Sequence, residues 1–409
     1  MNFRGESSLF ITLLFGVTVL GVSDTLVKPL SGGTVVAQAS TTVNAQSQGL
    51  NGNFKTANNN ALQSILDKWN GDSLTIKVPK GIYLFDSGAI RLHSNVTFEF
   101  DKGAVFRVTS GDMVSFVYPS PNAGYNGGIS NVKWKGATFQ GDNTAKGQSS
   151  FTQSINHATN VTFSGCTFYD AEAPYGHDLD IDGSHDIQVT NSTFVGFNGI
   201  QDFKEAIQID YSDPIAMSYR NPGDKYDDLP TYNVTVNKNR FLPIYSVSGQ
   251  ISSYAPNPIG EHAVYDNGKA GIIHDIHFTN NTVVDPKPLT ENGAGNIRFI
   301  DVYNLWVTNN KFINRRGVVS GNYIYLNNVL PNYRMANLNI ENNIFKNVNP
   351  TTQYVFLNSV DLSDPMTDIN ITGNKIITRK RRIPFVKGNF ALNQDTIKID
   401  KNYIGGRHR

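Results

Sequence analysis

The chain has 409 residues, 36 of them glycine, with 39% hydrophobic and 17% charged side chains and a formal charge of +1. That balance excludes a disordered polyelectrolyte, and it lacks the basic excess by which proteins hold nucleic acid. A single cysteine, Cys166, excludes an internal disulfide framework and a cysteine-based zinc or iron–sulfur centre.

Arg4 precedes an apolar run from Leu9 to Val22, about 14 residues and too short for a comfortable bilayer span. Ala37-Gln38-Ala39 then has the small-x-small form of a signal-peptidase site. Residues 1–39 are therefore expected to be a signal peptide, and the mature chain a secreted, extracellular protein with no membrane span after cleavage. Residues 40–57 read as an N-terminal linker, and 58–405 as one domain. From Asn60 to Trp69 the apolar residues recur at helical spacing, which predicts a helix plugging the open end of that domain. Val78-Pro79-Lys80-Gly81-Ile82-Tyr83 reads as a strand and turn.

The rest is organised by a repeat of about 30 residues. Its unit is Asn or Asp, apolar, polar, apolar, followed by a kink and a second short strand. It appears as Asn95-Val96-Thr97-Phe98, Asn131-Val132-Lys133-Trp134, Asn160-Val161-Thr162-Phe163 and Asp186-Ile187-Gln188-Val189. Asn233, Asp275, Asn304, Asn337, Asp368 and Thr396 open six further copies. Period-two alternation with β-branched residues is the strand signature, and helices are nearly absent beyond residue 70. Short strands at a fixed period, without crossover helices, predict an all-β parallel solenoid of about ten coils. Recurrent asparagines such as Asn310, Asn343 and Asn374 should then stack as ladders. The Asn-x-Ser/Thr sequons at Asn95 and Asn191 read as by-products of the repeat rather than glycan sites.

Two consecutive intervals exceed the period, predicting loop insertions at 211–232 and 245–273. Insertions on a repeat scaffold commonly mark the binding face. Seven of the 18 tyrosines fall between 211 and 265. Their flat faces and polar tips suit sugar rings, and packing within the loops is the competing use.

The strand opening this region is His177-Asp178-Leu179-Asp180-Ile181-Asp182-Gly183. With Leu179 and Ile181 inward, Asp178, Asp180 and Asp182 all face out. Matching apolar to apolar on the next coil sets Ile207 and Ile209 over Leu179 and Ile181. Gln208 then lies by Asp180, and Asp210 by Asp182. Further coils add Glu261-His262, Tyr265 and, outward between Ile297 and Phe299, Arg298. Glu205 and His177 are phased inward at strand starts where the chain is still turning. Cleaving a glycosidic bond takes one protonated carboxyl and a second that activates water or attacks. Asp180, Asp182, Asp210 and Glu205 are the candidate catalytic groups. Asp178, His177, Gln208, Tyr211, His262, Tyr265 and Arg298 are the candidate substrate contacts. No metal or cofactor is required; a Ca²⁺ ion on Asp178, Asp180 and Asp182 is the alternative use of those carboxylates.

The helix, the Pro-x-Gly-x-Tyr turn and the stacked Asn-Val-Thr-Phe units resemble right-handed parallel β-helices of the pectate-lyase-like superfamily, from about residue 50 to 405. That superfamily implies the fold and spans hydrolases, lyases, epimerases and non-catalytic surface modules. The order Asp182-Gly183, Asp210, His262 and Arg298 also resembles polygalacturonase-type hydrolases. Tyr211 replaces that family's second Asp, Glu261 precedes His262, and Ile300 stands where Lys would be. The missing Lys removes the partner by which that family grips a galacturonate carboxylate.

The expectation is a secreted polysaccharide-degrading glycoside hydrolase. A lyase or uronate epimerase is the second reading, and a non-catalytic glycan-binding surface module the third. The basic stretch Arg379-Lys380-Arg381-Arg382 and the tail at 406–409 offer a means of cell-wall association.

Overall fold

The computed structural model describes residues 40–405, apart from 110, 143–148, 173–176, 198–204, 290–293, 317–320, 332, 334, 349, 351, 361–364, 379–382 and 390–395. The signal segment at 1–39 and both basic stretches lie outside the described residues. Among those described, no helix is long and apolar enough to cross a membrane.

The chain winds as a right-handed parallel β-helix of three long sheets. The first and second sheets hold twelve strands each and the third ten, all paired in parallel with the coils before and after. The count exceeds the ten coils expected because two coils precede the repeat at Asn95: Ser73–Val78 opens one, and residues 40–57 form the other rather than a linker. Ser40–Asn44 pairs with Ser73–Val78 in the first sheet, and Asn53–Ala57 with Gly81–Leu84 in the second. In this first coil the third strand is replaced by helix α1 (Asn59–Lys68), which buries Leu62, Ile65 and Leu66. Gln63 caps the exposed edge of the third sheet: its Nε2 donates to Arg91 O (3.2 Å) and its Oε1 accepts from Arg91 N (2.9 Å). An edge strand occupied in this way cannot template further pairing.

Repetition in the sequence becomes stacking in space. Val132, Val161, Ile187, Val234, Ile276, Leu305, Leu338 and Ile369 are successive register partners, all inside. In the second sheet Phe139, Phe168, Phe194 and Phe241 stack at 5.0, 5.0 and 4.9 Å. Nine of the ten residues that open the repeat are left-handed, with φ between 51° and 64°. Asn and Asp tolerate that conformation better than other non-glycine residues, which accounts for their recurrence. A second ladder fills the turn between the first and second sheets. Asn281, Asn310, Asn343 and Asn374 each accept from the backbone N–H one coil below at 2.8–2.9 Å. Each also donates Nδ2 to a first-sheet carbonyl of the same lower coil, at 2.8–2.9 Å. Cys166 is buried at the same corner, where burial pushes its thiol up to about 12.

Candidate active site

After β1 (Ser150–Asn156), four successive rungs of the third sheet carry or adjoin the candidate residues: β2 (Leu179–Asp182), β3 (Glu205–Asp210), β4 (Asn257–Gly260) and β5 (Gly295–Ile300). The register of β2 on β3 is Leu179 with Ile207, Asp180 with Gln208, Ile181 with Ile209 and Asp182 with Asp210, as apolar matching predicts. One coil on, Gln208 pairs with Gly260, and Gly260 with Arg298. Asp180, Asp182, Gln208, Asp210 and Arg298 therefore share one ladder.

That ladder is not open to solvent. His177, Asp178, Asp180, Asp182, Glu205, Gln208, Asp210 and Tyr211 are all buried. The cover is the insertion after Asp210, which runs backward over the outer face of earlier rungs. It closes at its base through Ser212 and Leu229, whose N–H and carbonyl bond at 2.9 Å. Tyr219 O accepts from Ser154 Oγ (3.1 Å) and Lys225 O from Asn156 Nδ2 (2.9 Å). Asp227 reaches His157 Nε2 (2.8 Å) and Gly124 N (2.6 Å); Asp224 reaches Ser120 N (2.9 Å). Asn221 accepts from Arg91 Nε at 3.0 Å, four rungs before β3. Gly183 makes this return possible, because its φ is +51° and a Cβ there would stand 2.5 Å from the Ser212 side chain.

Burial sets the electrostatics. Removal from water, with Asp180, Asp210 and Asp213 nearby, holds the Asp182 carboxyl well above the usual range. Neither Asp182 oxygen has a hydrogen-bond partner among the described residues. Asp210 is raised to about 7 by burial, against the pull of His262, Tyr211 N–H and Gln208. Its oxygens accept from Tyr211 N (3.0 Å) and Gln208 Nε2 (2.8 Å). Asp180 Oδ2 accepts from Ser218 N in the covering loop. Asp178 is raised by burial and by Asp170, and Glu261 by burial and Asp210. Such groups keep their protons at neutral pH or share them.

The remaining candidates divide. Arg298 faces out, but its Nη1 braces the carbonyls of Glu261 and His262 (2.5 and 3.1 Å). His262 Nε2 lies 2.9 Å from Glu205 Oε2, and His177 Nδ1 lies 2.5 Å from Glu205 O. These three come together although strand phasing alone turns His177 and Glu205 inward. Tyr211 packs in the hydrophobic core, its ring 5.6 Å from that of Tyr265, and offers no face to a sugar. The other tyrosines of this stretch are partly buried. Tyr232 stacks between His185 and His274 at 4.8 and 4.9 Å, and Tyr245 donates to Asp285. Sequence reasoning missed Glu261 as a buried acid. It also missed the strap's anchors, His157, Asp224 and Asp227, which carry no local motif.

No protein-family model matches the chain, and no curated protein does. Solved structures do. A crystal structure of PfbA, a surface adhesin of Streptococcus pneumoniae, superposes with a TM-score of 0.55 at 17% identity, covering 82% of this chain and 85% of that one. A second PfbA structure gives 0.51 at 16%, covering 89% and 99%. A family 28 exopolygalacturonase from Yersinia enterocolitica gives 0.41 at 13%, covering 89% and 78%. At these identities the likeness is one of fold: the chain is a parallel β-helix protein.

Proposed function

We propose that this protein is a secreted, polysaccharide-acting β-helix that hydrolyses glycosidic bonds with carboxylates of adjacent third-sheet rungs. The observation that carries the reading is the register pair Asp182–Asp210, two buried carboxyls that crowding and desolvation both hold protonated toward neutral pH. A proton retained on one of these two carboxyls is the acid a leaving glycosidic oxygen needs. Asp180, one alternate residue along the strand and fixed by Ser218 N–H, is placed to activate water. Neighbouring strands stand about 4.8 Å apart and alternate residues about 6.8 Å apart, so the Asp180–Asp210 diagonal favours inversion. Substrate entry requires the strap over residues 154–182 to lift. Incubating the protein with a panel of polysaccharides should release new reducing ends, and Asp210→Asn should stop that release in a folded protein. An unsaturated product absorbing in the ultraviolet would replace hydrolysis by elimination.

A second reading, a non-catalytic glycan-binding surface module, is favoured by the strap itself, which seals the carboxylates from solvent. Saturable binding to a glycan with no product, unaltered by Asp210→Asn, would select it.

A further inference from the structure

We propose that His177, Glu205 and His262 form a binding site for a divalent transition metal ion, with Zn²⁺ the ion the donor set fits best. The three residues come from successive rungs: His177 just before β2, Glu205 at the start of β3 and His262 just after β4. Their potential ligand atoms all lie within 4.8 Å of one another, and the two imidazole centroids are 5.3 Å apart.

The surroundings are those of a built site. The Glu205 side chain is fully buried, with Oε2 at 2.9 Å from His262 Nε2. Its Oε1 has no hydrogen-bond partner among the described residues. A buried carboxylate with an unsatisfied oxygen is costly to keep, and a cation removes that cost. Room for this carboxylate comes from Gly260, where a Cβ would stand 2.6 Å from Oε1. His177 is oriented by its Nδ1–H, which donates to the Glu205 carbonyl at 2.5 Å. A ring N–H given to a backbone carbonyl is the usual outer support of a metal-ligating histidine.

Two imidazoles and one carboxylate are borderline donors suited to Zn²⁺ and its neighbours, whereas Ca²⁺ takes an all-oxygen shell. This separates the site from the Asp178, Asp180 and Asp182 carboxylates. Three protein ligands leave a fourth position for water or a ligand oxygen. An ion held there would staple three consecutive coils, one of them through His262 in the second insertion. The site stands whether or not the Asp182–Asp210 pair cleaves a sugar bond.

The test uses the full chain, stripped with a chelator and titrated with Zn²⁺ by calorimetry. One equivalent should bind per chain and raise the unfolding temperature. Glu205→Gln and His262→Asn should each weaken binding at least tenfold, while His185→Gln, at a distant ring stack, should not. Undiminished binding by Glu205→Gln, or tighter binding of Ca²⁺ than of Zn²⁺, would overturn the assignment. Should a variant fail to fold, a zinc-soaked crystal of the unaltered protein decides. An anomalous peak between the three side chains supports the site, and a peak elsewhere or none refutes it.

Discussion

Asp182 and Asp210 face one another as register partners on adjacent strands, both removed from water, and neither oxygen of Asp182 is hydrogen-bonded within the described residues. Stability alone would not select such a pair, since burying an unpaired carboxylate is unfavourable. On the hydrolytic reading, Asp210→Asn should lower the rate of reducing-end release by roughly 10²–10⁴-fold, the usual worth of a positioned acid or base. Circular dichroism should stay unchanged.

The same pair makes stability depend on pH. Asp210 is raised from 3.8 to about 7, and Asp182 and Glu261 move in the same direction. A carboxyl raised on folding binds more protons in the native than in the unfolded state. Its stabilisation is therefore complete below about 4 and lost as pH climbs through 7. For Asp210 alone this is on the order of 4 kcal/mol. Urea denaturation should give a higher midpoint at pH 5 than at pH 8. Asp182→Asn should flatten the profile and raise the pH 8 midpoint.

Asn310 tests the inner ladder. It accepts from Asn281 N–H (2.8 Å) and donates to Phe278 O (2.9 Å) and Asn343 Oδ1 (3.0 Å) in a dry corner. Asn310→Ala strands buried partners, each costing about 1–3 kcal/mol. Equilibrium unfolding should show a loss of that size, and a variant within ~0.5 kcal/mol of the parent would refute the ladder's role.

The outer ladder makes a different demand. Asn160 has φ 55°, and its amide donates to Asn131 Oδ1 at 2.6 Å. Asn160→Val places a β-branched residue in the left-handed region and should cost more than Asn160→Gly, by about 1–2 kcal/mol. Comparing the two thermal midpoints checks it.

Asp227 anchors the strap to His157 and Gly124. Asp227→Ala should speed protease cleavage within residues 213–228 while the rest of the chain stays resistant. On the hydrolytic reading, it should also ease substrate entry and lower KM.

Much of this was legible because a solenoid writes its geometry as periodicity. The Asn-Val-Thr-Phe units mark the first sheet, and the alternation through Leu179, Ile181, Ile207 and Ile209 sets the register of the acids. Residues 40–57 hid in plain view: Ser40–Asn44 is too short and polar to announce a strand until it pairs with Ser73–Val78. Strand phasing alone did not bring Glu205 and His177 together with His262, since alternation says little where the chain enters a strand. The burial of Asp180 and Asp182 depends on where an insertion lands. That is settled by contacts such as Arg91 with Asn221, 130 residues apart, which no local pattern encodes.

The backward course of that insertion changes how the molecule comes apart. A plain solenoid behaves as a row of dominoes, each coil holding only its neighbours, so its end can unzip one turn at a time. Here the loop leaving Asp210 grips Arg91, Ser120, Asn156 and His157 together, lashing five third-sheet rungs into a unit that must yield at once. The N-terminal half should thereby acquire the all-or-none character of a globular domain, with Tyr211 the insertion's one contribution to the core cluster.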